Sequence, residues 1–234
     1  MDLKRFFLVS PIDSDQVTVF GEEFYHAIKV TRHKVGYKLI LCDNTGYDYY
    51  GTVTEIFKDS FSVKIDEKIK NDTELETPVS LFIGNNKDLD IVVQKAVEMG
   101  VKRIVPFISQ HCNLSSINID RLRKIVVESS KQTGRAVLAE VTEAVTFDEA
   151  INMAQNGKKI VCYEHENERR IEDVCFCDKD PVSIFIGCEG GFSENEIEIF
   201  KNNGFYVCTL GRRILRVATA VVASCALINS KLES

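Results

Sequence analysis

Two glycine-punctuated turns near the C-terminus hold the residues best placed for chemistry. They are Ile186-Gly187-Cys188-Glu189-Gly190-Gly191-Phe192-Ser193 and Leu210-Gly211-Arg212-Arg213-Ile214-Leu215-Arg216. Each follows an apolar run of strand type, Val182 to Ile186 and Tyr206 to Leu210, and each leads into a helix-like segment. Glycine at a strand end lets amides and carbonyls approach a ligand with no Cβ in the way. Two such turns side by side at the carboxyl edge of a sheet make a pocket walled largely by main chain. That implies a bound cofactor, and so an enzyme. The first turn lacks the G-x-G-x-x-G spacing of a dinucleotide site and the Gly-Lys-Ser/Thr of a phosphate loop, which disfavours a nucleotide-phosphate ligand. A tight strand-to-helix turn accounts for Gly190 and Gly191 and leaves Glu189 unexplained.

The helices that must carry these turns have readable ends. Ser193-Glu194-Asn195-Glu196 is a capping box, and Asn202-Asn203-Gly204 stops the helix it opens. Arg213 and Arg216 are i, i+3 neighbours at the start of a helix predicted over 215–232, where positive charge opposes the helix dipole. An anionic partner, RNA phosphate or a carboxylate, would offset that cost; the plainer alternative is a solvated face. The run Val217 to Ala223 is apolar nearly all round, so it is predicted to be buried in a core or against a partner subunit. Arg121, Lys124, Glu128, Lys131 and Arg135 share one mostly basic helix face, either solvated or tracking RNA. His26, His33, His111 and His165 have no metal spacing and no nucleophile partner.

The whole chain divides by rhythm. Up to residue 68 it is β-rich, with strands predicted at 5–9, 37–41, 49–57 and 60–65, a hairpin turn at Asp43-Asn44-Thr45-Gly46 and one short helix over 22–30. This predicts a small barrel, closed off by a charged linker over 66–77. From Pro78 strands at 79–83, 103–107, 159–163, 182–186 and 206–210 alternate with helices at 88–99, 119–133, 147–155, 194–202 and 215–232. Such alternation predicts an α/β domain with a parallel sheet.

Composition sets the outer bounds. An apolar share of 44% supports a packed core rather than disorder, and no apolar run reaches membrane-spanning length. The N-terminus has no secretory h-region. Of 8 cysteines only Cys175 and Cys177 are close, and C-x-C is not a zinc pair, so no metal site is expected. Cys42, Cys162, Cys208 and Cys225 lie in apolar runs, which suits reduced thiols and a cytoplasmic location. A net charge of −6 weighs against indiscriminate nucleic-acid binding, yet from Phe205 onward the only acid is Glu233 against four basic residues, leaving room for a local basic patch.

The chain resembles the ribosomal small-subunit RNA methyltransferase E family of the knotted SPOUT superfamily. The likeness runs over nearly the whole length. It rests on Arg5-Phe6-Phe7, on His26 to Arg32, on Gln94-Lys95-Ala96-Val97-Glu98-Met99-Gly100-Val101, and on Gln132 with Arg135. The most specific pieces are the two glycine turns, Gly187-x-Glu189-Gly190-Gly191-Phe192 and Leu210-Gly211-x-Arg213-Ile214-Leu215-Arg216. The resemblance implies a PUA-like, RNA-binding β-barrel over 1–70 and a SPOUT domain with a trefoil knot over 76–234, which binds the cofactor and forms a homodimer. It implies methyl transfer from S-adenosylmethionine to N3 of a uridine in 16S rRNA, on free RNA or on the small ribosomal subunit, with no membrane partner. The implied cofactor residues are Ile186, Gly187, Glu189, Gly190, Gly191, Leu210, Gly211, Ile214 and Leu215. Arg213 or Arg216 would stabilise the uracil anion or a phosphate, Glu189 is a candidate base, and Arg5, Arg32 and Arg135 would position RNA. Three positions depart from the family pattern: Ala218 stands for a glutamate, Gln110-His111 for Glu-Arg, and Cys188 for a proline. The first two carry the competing possibility, a non-catalytic RNA-binding or ribosome-assembly protein on the same fold.

Overall fold

The computed structural model describes residues 3–112, 116–154, 156–176 and 180–233. Cys177, and Gln155 at the predicted end of a helix, lie outside them. The chain forms two compact units: Met1–Glu74 with Ser130–Leu138, and Leu75–Ser129 with Ala139–Ser234. The return of Ser130–Leu138 to the first unit has no counterpart in the sequence-based boundaries.

In the first unit, strands β1 (Arg5–Phe7), β2 (Gln16–Phe20), β3 (Lys38–Cys42), β4 (Tyr47–Ile56) and β5 (Ser60–Lys70) pair in the order β1-β3-β4-β5-β2. All pairs are antiparallel except β1 with β3. Alternation along the strands buries Phe6, Leu39, Leu41, Val53, Phe61 and Val63 in one cluster. Two register shifts, at Tyr50/Gly51 and Val53/Glu55, bend β4 against β5. Gly51 is required at that bend, because a Cβ there would lie 2.5 Å from Val63 Cγ1. The pairing ends at β1 and β2 among the described residues, so the sheet is curled rather than closed by hydrogen bonds. The predicted 22–30 helix is an α-helical turn, α1 (Gly21–Tyr25), followed by a π-helical turn over His26–Val30.

Two arginines expected to face RNA are held inside this unit. Arg5 forms a two-pronged ion pair with Asp48, which also accepts from Asn71 Nδ2 at 3.1 Å. Arg135 is 2% exposed, and its Nε and Nη2 each donate to Glu74 at 2.7 Å. Both guanidiniums are thus buried against carboxylates reached from distant sequence. Arg32 is exposed, in a left-handed conformation at φ 55. Arg135→Ala strands the Glu74 carboxylate and is expected to cost about 2–3 kcal/mol, less than a fully buried pair because Glu74 keeps some water. Urea denaturation reads this directly, and Arg135→Lys should recover only part, since lysine cannot make the forked contact.

In the second unit, β6 (Val79–Gly84), β7 (Arg103–Ile108), β8 (Glu140–Val141), β10 (Lys158–Cys162), β11 (Val182–Ile186) and β12 (Tyr206–Cys208) form a parallel sheet. Their order is β12-β10-β11-β6-β7-β8, and β9 (Val145–Thr146) also pairs with β7. The helices are α2 (Leu89–Glu98), α3 (Ile119–Thr133), α4 (Phe147–Met153), α5 (Glu194–Asn202) and α6 (Val217–Leu232). Six phenylalanines make much of one core: Phe82 stacks on Phe185 at 4.3 Å, and Phe200 and Phe205 meet Phe185 edge-on. Phe107 and Phe192 complete the cluster.

Two expectations for these helices change. The basic face of α3 is not an open track, because Arg121 pairs with Asp90, Lys131 with Glu23, and Arg135, past the helix end, with Glu74. Helix α6 begins at Val217, since Arg216 is extended at φ −63, ψ 150. Arg213 and Arg216 therefore lie on the approach to the helix rather than on one of its faces. The apolar run does pack inward through Val217, Val221, Cys225 and Ile228.

Candidate active site

Three neighbouring strands set the frame. β10 lies between β11 and β12 and is parallel to both. The two glycine turns are thus not adjacent; they flank the end of β10, where Cys162, Tyr163 and Glu164 emerge. Ligands of open parallel sheets bind at the carboxyl ends of the strands. Here that edge holds a cavity of ≈ 260 Å³, just below the usual range of about 300–1,000 Å³ for small-molecule sites.

The cavity brings together most of the residues singled out by type and spacing. One wall is Ile186, Gly187, Cys188, Glu189 and Gly191 from the β11 turn. The other is Leu210, Gly211, Arg213, Ile214, Leu215 and Arg216 from the β12 turn, continued by Val217 and Ala220 of α6. Cys162, Tyr163, Glu164 and Thr209 complete it. Gly190, expected to touch the cofactor, does not line the cavity. A Cβ at Gly190 would lie 2.8 Å from His111 Cβ, so its bareness makes room for His111.

Each turn is braced by its own hydrogen bonds. In the first, the Gly191 amide donates to the Cys188 carbonyl at 3.0 Å, with Gly191 at φ +65. Gly187 packs against the Gly191 backbone, where a Cβ would come within 3.1 Å. Ser193 caps α5 as predicted, and the buried Glu196 reaches further than the box requires. Its Oε2 accepts from the Ser193 amide at 2.9 Å, while its Oε1 accepts from the Gln110 amide at 2.8 Å. His111 Nδ1 donates to the Gly190 carbonyl at 3.0 Å. The Gln110-His111 pair therefore clamps the glycine turn from the β7 side. Glu196→Ala removes the cap and frees Gln110 together, for an expected loss of about 2 kcal/mol in thermal or denaturant unfolding.

In the second turn, the Gly211 amide donates to Thr209 Oγ1 at 3.1 Å, and Gly211 sits at φ +113, a region that favours glycine. Arg213 and Arg216 are both exposed at the cavity rim, and neither forms an ion pair with another described residue. Ile214 between them is 85% exposed. Two free cations around an apolar side chain beside a cavity suit an anionic, partly flat ligand. Glu164 and Glu189 also line the cavity, and both are exposed.

Glu164 and Gly84 carry no mark in the sequence. Glu164 follows a strand with no glycine at its end; only the position of β10 between the two turns singles it out. Gly84 ends β6, next to β11, and a Cβ there would fall 2.5 Å from the Cys188 amide nitrogen and 2.9 Å from the Gly187 carbonyl carbon. It lets the first turn settle onto the sheet. Among the described residues no group of His, Cys, Asp and Glu could hold a metal, and no helix is long and apolar enough to cross a membrane.

Known proteins resemble the chain over both units. Residues 73–229 match the family model of an RNA methyltransferase domain. The chain is 31% identical over 239 residues to the ribosomal RNA small subunit methyltransferase E of Buchnera aphidicola subsp. Schizaphis graminum, covering 95% of this chain and 94% of that protein. It is 26% identical over 234 residues to the protein of the same name from Rickettsia conorii, covering 97% and 95%. The crystal structure of a ribosomal RNA small subunit methyltransferase E from Neisseria gonorrhoeae bound to S-adenosyl methionine superposes with a TM-score of 0.89 at 26% identity, covering 98% of each chain.

Proposed function

The chain belongs to the ribosomal RNA small subunit methyltransferase E family, and from that premise we propose that it transfers a methyl group from S-adenosylmethionine to N3 of a uridine in 16S rRNA. The observation that carries this is the cavity between the two glycine turns, with two unpaired arginines at its rim. Its chemistry fits the methyl donor. Ile186, Leu210, Ile214 and Leu215 offer an apolar slot for a flat base, exposed main chain offers polar partners, and Glu164 and Glu189 offer charge opposite to an ammonium and a sulfonium. When bound, S-adenosylmethionine supplies a methyl group made electrophilic by its positive sulfur.

The chain's own residues then have two tasks. One is orientation, which can account for a large part of the acceleration of such a transfer. We assign it to the main chain of Gly187, Gly191, Leu210 and Gly211 and to the side chains of Ile186, Ile214, Leu215 and Glu164, with the Gly190 carbonyl held by His111. The other is charge. Uracil N3 carries a proton at neutral pH, so a base must take it and donors must hold the anion. Glu189 is the assigned base; Arg213 or Arg216 holds the anion, and the other meets phosphate. On the first unit Arg32 is the arginine assigned to RNA, while Arg5 and Arg135 are given structural roles.

The finer architecture of the family is proposed with the function. The curled sheet of the first unit is taken as its PUA-like RNA-binding barrel. The trefoil knot is proposed around the β10–β11 connection, where the amide of Thr209, just after β12, donates to the Arg169 carbonyl at 2.8 Å. A homodimer is supported by the partly exposed stripe of Thr219, Val222, Ala223 and Ala226 on α6. A ribosomal substrate places the enzyme in the cytoplasm.

The test is to incubate the protein with methyl-labelled S-adenosylmethionine and small-subunit RNA or particles, then map the labelled nucleosides. N3-methyluridine in the small-subunit RNA is expected. Label on another nucleoside contradicts the assigned target. RNA binding without cofactor binding identifies the assembly-protein alternative that Ala218 and Gln110-His111 raised.

A further inference from the structure

Among the described cysteines, Cys112 and Cys188 are set apart by where the sheet puts them. Cys112 follows β7 and Cys188 follows β11, with β6 between these strands. At the end of β6 the bare Gly84 lets the two flanking loops lean over it. Both the Cys188 amide nitrogen and the Cys112 sulfur lie within 3.3 Å of the point where a Gly84 Cβ would sit. The same loops are locked together beside the thiols by the Gly190–His111 and Glu196–Gln110 hydrogen bonds. We propose that Cys112 and Cys188 form a peroxide-reactive dithiol, whose closure to a disulfide reshapes the glycine turn that walls the cofactor cavity.

The chemistry separates the two sulfurs into nucleophile and resolving partner. The neighbouring Cys188 thiol lowers the Cys112 pKa to about 6 against the opposing effect of burial, with help from Ser109, whose hydroxyl lies 3.1 Å from the Cys112 sulfur. The same neighbour relation, with burial, pushes Cys188 the other way. The two shifts run in opposite directions, so Cys112 is the sulfur that gives up its proton first. Thiolates react with peroxide and thiols do not. Burial holds Cys42 and Cys225 up to about 12 and Cys162 well above its ordinary value after its hydrogen bond to Cys208, so these serve as internal controls.

The reaction balances with hydrogen peroxide as oxidant. The Cys112 thiolate attacks one peroxide oxygen, the O–O bond breaks, and Cys112 becomes a sulfenic acid as hydroxide leaves. The Cys188 sulfur then attacks that sulfur, its proton leaves with the departing oxygen, and water is released. In sum, two thiols and one peroxide give one disulfide and two waters. The new bond holds Cys188, whose carbonyl receives the Gly191 amide, against the β7 loop. The change is reversed by dithiol reductants.

The test treats the full-length reduced protein with hydrogen peroxide at pH 7.5, blocks remaining thiols with N-ethylmaleimide and maps the peptides by mass spectrometry. A Cys112–Cys188 linked peptide that dithiothreitol abolishes is expected. Cys188→Ser should accumulate a Cys112 sulfenic acid trapped by dimedone, and iodoacetamide alkylation of Cys112 should slow as pH falls through about 6. An unmodified Cys112, or a Cys162–Cys208 link in its place, overturns the site. The effect on the cavity rests on the methyltransferase assignment: S-adenosylmethionine affinity should fall at least ~10-fold on oxidation, and peroxide should leave it unchanged in Cys112→Ser. Equal affinity of the oxidised and reduced wild-type protein overturns that control. If the reduced protein binds no S-adenosylmethionine, the function assignment fails, while the peptide map still decides the dithiol.

Discussion

Arg213→Ala and Arg216→Ala are expected to damage methyl transfer in different ways. The arginine that holds the uracil anion should lose about 10²–10³ in kcat, or about 2.7–4 kcal/mol of transition-state stabilisation, with little change in KM. The arginine that meets phosphate should raise KM and flatten the salt dependence of RNA binding by about one unit of slope. Both side chains stand at the rim unpaired by any described carboxylate, so neither variant strands a buried charge, and folding should be unaffected. Lysine at the phosphate position should restore much of the binding; at the anion position it should restore less, because the planar fork is lost. Full activity in both alanine variants removes these arginines from the mechanism.

Gly84→Ala carries the second large effect, and it acts on a residue outside the cavity. The added methyl would press on backbone, 2.5 Å from the Cys188 nitrogen and 2.9 Å from the Gly187 carbonyl carbon. Backbone cannot swing aside as a side chain can, so the turn must rise from the sheet or the sheet must distort. Overpacking of this kind typically costs about 1–3 kcal/mol. Cofactor affinity should fall by at least ~10-fold, since each 1.4 kcal/mol diverted from the wall is a factor of ten in binding. Calorimetry of the variant, with circular dichroism to verify folding, reads both. Wild-type affinity in a folded Gly84→Ala protein would mean that the β11 turn does not hold the ligand.

Much of this arrangement is legible in the residues, and the failures have physical causes. The alternation of strands and helices from Pro78 onward is visible because parallel strands such as Val182 to Ile186 are buried on both faces and read as unbroken apolar runs. Strand β2 escapes notice since Gln16, Thr18 and Phe20 are exposed, leaving only two inward positions. Strand β5 runs on to Lys70 through residues that look like a linker, because its far end is held by pairing with β4 rather than by apolar burial. The two-residue strands β8 and β9 depend on β7 and have no pattern of their own.

The site shows the same division. Glycines and arginines mark the two turns, yet nothing local says that β10 will lie between them and bring Glu164 to the cavity. Arg5 and Arg135 look like phosphate ligands in sequence. Their carboxylate partners lie 43 and 61 residues away, and only the fold brings them together. The start of α6 is two residues later than the sequence predicts because Leu215 and Arg216 are good helix formers, while the chain keeps Arg216 extended, at the edge of the cavity.

A crystal of the reduced protein soaked with S-adenosylmethionine tests the central claim most directly. Density for the cofactor is expected between residues 186–191 and 209–217. Well-ordered turns that stay empty at saturating cofactor, or density bound elsewhere on the chain, would contradict it.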